Sequence, residues 1–155
     1  MFRNFVNKRN ILSIIGIPVL GFLLLNFAFM LAAGIRMLIY VGFNGLKLPG
    51  ANWMPPFFHL ITAVILIGLA LFAAKTKRLP EWIRAAFMMV ALAITLVYCG
   101  LFLYNWPLLV YAFGAVIVLF TWVYFFKTKK PWTYYYGAVL VSAVLLWMQI
   151  KGVDI

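Results

Sequence analysis

Glu81, Asp154, His59, Cys99 and Ser142 are the side chains here with the chemistry for proton transfer or nucleophilic attack, and their spacing works against both. General acid–base work by paired carboxylates needs two acids beside one substrate. Glu81 and Asp154 are the only acidic residues among 155, and they belong to opposite ends of separate apolar segments. A zinc site takes three or four ligands. His59 and Cys99 are each the single residue of their type and lie on different segments, and either Cys99 or Ser142 as nucleophile would need His59 as its base. We therefore expect no enzyme, no metal and no cofactor. The lone cysteine also excludes an intrachain disulfide.

A second group of residues has the chemistry of recognition rather than reaction. Arg36, Trp53, His59 and Asn105 are candidates for a polar, ligand-binding cluster at one face, suited to an anion or a lipid headgroup. Arg36 also has a simpler reading, a long side chain snorkelling to a nearby boundary. Asn26, about halfway along the first apolar segment, is the deepest amide and the candidate for an interhelical polar contact, a bond worth about 0.6–2 kcal/mol in lipid. Lys127, Lys129 and Lys130, beside Trp132 and the tyrosines 134 to 136, are candidate contacts for anionic lipid, at about 1 kcal/mol per cation.

Composition dictates what must position these groups. The chain is 68% apolar and 10% charged, too little polar surface to cover a water-soluble core, so its solvent is expected to be the lipid bilayer. A net charge of +11 would ordinarily suggest nucleic acid. The cations instead come in short runs between apolar stretches, with no basic face, so no nucleic-acid partner is expected.

The apolar stretches predict an all-α bundle of five transmembrane helices in a single domain, 1–155, with spans near 11–35, 56–74, 83–103, 108–126 and 133–150. Each approaches the roughly 20 residues that cross about 30 Å of hydrocarbon, where an unbonded backbone permits only helix. The first run, Ile11 to Val41, far exceeds the roughly 7–15 apolar residues of a cleavable signal and reads as retained. At about 46 Å it must tilt, bend or continue past the hydrocarbon, and Gly16, Pro18 and Gly21 offer a bend.

Orientation follows from the cations. Arg3, Lys8, Arg9, Lys75, Lys77, Arg78, Arg84, Lys127, Lys129 and Lys130 fall on one side, leaving Arg36, Lys47 and Lys151 for the other. This positive-inside asymmetry predicts a cytoplasmic N-terminus and an external C-terminus in a cell membrane. Trp53, Trp106 and Trp147 fall at expected outer ends and Trp82, Trp122 and Trp132 near inner ends, where indole suits the interface. Pro80 and Glu81 should open the third span, with Arg84 as an i,i+3 partner of Glu81, and Tyr104 to Pro107 should turn it back into the fourth. Alanines 28 and 32, 70 and 74, and the pair Ala138 and Ser142 permit close helix approach.

The segment Trp53 to Pro56, at the start of the second span of a five-span, tryptophan-rich chain, resembles the tryptophan-rich sensory protein (translocator protein) family. The resemblance covers about ten residues and implies a five-helix bundle with a pocket for porphyrins or sterol-like ligands. The chain departs from that family's pattern in having no Trp between His59 and Ala74 and no Asn between Arg84 and Leu103, so no pocket residue carries over. The function expected from the residues themselves is non-catalytic: an accessory, assembly or regulatory subunit that packs against other membrane helices as a homo- or hetero-oligomer. The alternative is a binder or transporter of a hydrophobic or anionic small molecule.

Overall fold

A computed structural model of the protein describes residues 8–45 and 55–151, and all statements on structure concern these. They form five helices: α1 (Lys8–Gly45), α2 (Pro55–Lys75), α3 (Glu81–Phe102), α4 (Pro107–Lys127) and α5 (Trp132–Ile150). The expected boundaries of the last four lie within two residues of these, because prolines mark the starts. Pro80 and Pro131 hold the N-cap positions of α3 and α5, and Pro107 is the first residue of α4, where a missing N–H costs nothing. Four helices carry apolar stretches long enough to cross a membrane: Ile11–Ile35, Glu81–Phe102, Pro107–Lys127 and Trp132–Ile150. The described apolar stretch of α2, His59–Lys75, is shorter.

The first apolar run forms one helix of 38 residues, unbroken through Pro18. A proline inside a helix leaves the carbonyl four residues earlier without its N–H partner, here that of Ile14. The hydroxyl of Tyr136 on α5 donates to this carbonyl oxygen at 3.1 Å. A side chain 122 residues away thus repairs the defect that Pro18 creates, which is how a proline is tolerated where water is scarce.

Helix α3 is the axis of the bundle and packs against all four others. Its run from Val90 to Ile94 is buried at every position, so no face of that stretch is free, and alanines at 85, 86, 91 and 93 keep its neighbours close. Helices α1 and α3 run in the same direction, because Gly16 meets Trp82 and Gly21 meets Met89. A Cβ on Gly21 would lie 2.9 Å from the Met89 sulfur, and one on Gly16 3.2 Å from the Trp82 ring, so both glycines give these two side chains room at the contact. Two apolar clusters follow. One gathers Ile17, Ala85, Leu92, Phe125, Tyr134 and Ala138; the other gathers Ala28, Ala32, Ala63, Leu66, Ile94 and Tyr98.

The bundle is lopsided. Helix α4 touches only α3 and α5, and Phe125 is its one buried residue. Helices α2 and α4 do not meet, which leaves a groove of about 280 Å³ over α3 between Ile67, Leu71, Met88, Ile117 and Phe120.

The Pro18 repair predicts a contrast between two tyrosines on one turn of α5. Tyr136→Phe strands the Ile14 carbonyl and should cost about 1 kcal/mol of unfolding free energy in mixed detergent micelles. Tyr134→Phe should be close to neutral, because the Tyr134 hydroxyl is buried with no hydrogen-bond partner. Adding Pro18→Ala to Tyr136→Phe returns an N–H to Ile14 and should recover the loss. An equal cost for both tyrosines would refute the assignment.

Candidate functional site

The best-defined polar architecture is where α1, α3 and α5 begin and α2 and α4 end. Here the chain must terminate two helices, each leaving carbonyls without intrahelical partners. At the end of α2, the Thr76 hydroxyl donates to the Phe72 carbonyl at 3.2 Å, the Thr76 N–H to Ala73 at 3.1 Å, and Arg84 Nε to Ala74 at 3.0 Å. Arg84 therefore caps α2 rather than pairing with Glu81, a correction to the sequence reading. An i,i+3 ion pair gains little on a helix surface, whereas a charged donor on a stranded, part-buried carbonyl removes a larger penalty. Glu81 remains exposed in the first turn of α3, where a carboxylate suits the positive helix end.

The end of α4 is closed by its own backbone. Lys130 N–H bonds the Phe125 carbonyl at 2.9 Å and Lys129 N–H bonds that of Phe126 at 3.2 Å, the paired bonds of a Schellman ending. Lys129 consequently takes a left-handed φ of 49°, a position where glycine is usual. The three lysines proposed as lipid contacts are thus not equivalent. Lys127 and Lys129 are exposed, while Lys130 is half-buried with Nζ 5.0 Å from the centre of the Tyr134 ring, a cation–π contact. Beneath them Phe125, 1% exposed, sits edge-on to Tyr134 and Tyr135 at 5.6 and 5.5 Å, and Tyr135 meets Trp122 at 5.9 Å. These aromatic pairs hold the end of α4 against the start of α5.

At the opposite end the expected cluster is described only in part. His59 is half-buried near the start of α2, with its ring 6.3 Å from that of Tyr98 on α3. Asn105 is exposed on the turn between α3 and α4, at that same end. Arg36 lies on α1, but its side chain falls outside the described residues, as does Trp53 altogether. The structure therefore brings the His59 ring near that of Tyr98.

Asn26 is on the outer surface of α1, and its Nδ2 donates to the Phe22 carbonyl one turn back at 2.8 Å. Among the described residues, the contact to another helix expected of it is not made. Thr95, Thr121 and Ser142 bond back to Ala91, Ile117 and Ala138 in the same way, so these hydroxyls are satisfied locally. No group of three or more metal-ligating side chains forms among the described residues.

Sequence reasoning missed Tyr136 and the capping role of Arg84. Pro18 did announce a stranded carbonyl, yet nothing local says which of three consecutive tyrosines answers it. The Lys129 geometry is directly testable. Lys129→Gly should raise unfolding free energy by about 1 kcal/mol, since glycine takes a positive φ without penalty, and Lys129→Val should lower it by a similar amount or more. Stability that falls in the glycine variant would refute the strained turn. Comparison with known proteins adds no relative: no protein-family model, curated protein or solved structure matches the chain.

Proposed function

We propose that this is a small, non-catalytic, five-span protein of a cell membrane that works as an accessory, assembly or regulatory subunit, by packing its helices against others. The observation that carries the reading is the outer surface. Large apolar side chains face outward along the candidate spans, among them Leu108 at 85% and Phe126 at 80% exposed on α4, a helix with only two neighbours in its own chain. Burial against lipid or another helix is the physical use of such a face.

Five spans are favoured over four by direction. Helices α1 and α3 are parallel, so the chain must return between them, and α2, 21 residues long, is the element that does so. The orientation rests on charge. Lys75, Lys77, Arg78, Arg84, Lys127, Lys129 and Lys130 share one end, and the positive-inside rule assigns that end to the cytoplasm. The exposed Lys127 and Lys129 would there face anionic lipid.

A second reading, binding of a hydrophobic small molecule, has in its favour the groove of about 280 Å³ between α2, α3 and α4. Thr95 and Thr121 lie along it with their hydroxyls already bonded to their own helices, so its recognition would be by shape and apolar contact.

Reporters fused after Lys77 and after Asn105 should be active inside and outside the cell, respectively; the reverse pattern rejects the orientation, and activity on the same side rejects the crossing of α3. Mild cross-linking in native membranes should capture the protein with a stoichiometric membrane partner. Recovery as a lone monomer at every cross-linker dose would reject the accessory role.

A further inference from the structure

Helix α1 has two faces with different fates. Ser13, Ile17, Gly21, Ala28 and Ala32 are buried against the bundle. Diametrically opposite, Val19, Phe22, Asn26, Met30, Ala33 and Met37 recur at intervals of three and four, and all are exposed. Phe22 is 66% and Met30 72% exposed. This is the spacing of a coiled-coil seam, continued toward the N-terminus by Ile15 and Leu12, which are also exposed.

The seam holds one amide, and depth makes that amide consequential. Asn26 lies between Gly21, which meets Met89, and Ala28, which packs in the cluster with Ile94, so it is level with the middle of α3. It has spent one donor on the Phe22 carbonyl. Asn26 is exposed, and its second N–H and its Oδ1 bond nothing among the described residues, at a depth where hydrocarbon offers neither donor nor acceptor. An apolar partner helix would leave them stranded.

We infer that the Leu12–Met37 face of α1 pairs with the same face of a second copy, the two Asn26 amides bonding each other across a twofold axis along the membrane normal. Insertion orients every copy alike, so paired α1 helices are parallel and their Asn26 residues meet at one depth in register. An amide is donor and acceptor at once, so the pair is self-complementary, and a single asparagine in an apolar seam fixes register in such a dimer. The alanine pairs that might compete for this role are unavailable, since Ala28, Ala32, Ala70 and Ala74 are buried within the chain. The inference rests on the packing role proposed above and names its partner.

The test uses the full chain, purified, tagged with donor or acceptor fluorophores and reconstituted into phosphatidylcholine vesicles. Energy transfer should be present and should fall with lipid dilution. Asn26→Leu should shift the dissociation midpoint to about 3- to 30-fold higher protein density, and Asn26→Gln should restore most of the loss. In a Cys99→Ala background, oxidation should dimerise Val19→Cys but not Phe27→Cys, which is equally exposed and lies off the seam. Monomer at every dilution, an unchanged midpoint for Asn26→Leu, or equal cross-linking of both cysteines overturns the inference. Val19→Cys joined to a different polypeptide in native membranes, with no energy transfer in vesicles, also overturns it while leaving the accessory role standing; a lone monomer in both settings removes both.

Discussion

A helix shielded from water keeps its shape only if every backbone carbonyl released from the regular ladder finds a donor inside the protein, and this chain has few side chains with which to supply one. Its polar residues are placed accordingly. Tyr136 serves the carbonyl that Pro18 frees, Arg84 and Thr76 serve the end of α2, and the backbone of Lys129 and Lys130 closes α4. At the described cationic end Arg84 is therefore structural before it is functional. What looks in the sequence like a scattering of interface residues is, in part, the means by which helices stop without leaving stranded oxygens.

The same economy shapes the packing. Helix α3 carries small residues on all sides and accepts four neighbours, while glycines 16 and 21 let α1 lie against it closely enough for Trp82 and Met89 to fill the space. Small residues paired four apart, at 28 and 32 and at 70 and 74, are spent on these internal contacts. With no differential hydrophobic gain between helices in lipid, shape fit and a few polar bonds decide which faces close and which stay outward. The outward faces are consequently informative, above all where one of them carries an amide.

The helices were legible in the sequence because their signals are local. Pro80, Pro107 and Pro131 sit at helix starts, and apolar length marks the segments, so the boundaries of the last four helices come within two residues, while α1 runs on to Gly45. Contacts between distant segments were not legible. The pairing of Arg84 with Ala74 spans 10 residues and that of Tyr136 with Ile14 spans 122, and neither leaves a periodic trace. Asn26 was recognisable as a deep amide, but whether it faced inward or outward depended on which side of α1 the bundle occupies. The small-residue pairs hinted at that side without naming it. The cluster of Arg36, Trp53, His59 and Asn105 was assembled from expected depth alone, and the Arg36 side chain and Trp53 lie outside the described residues.

The sparse seating of α4 bears on local stability. With one buried phenylalanine and two neighbouring helices to hold it, α4 has the least packing of the five, so local opening is expected to start there while the α1–α3 core persists.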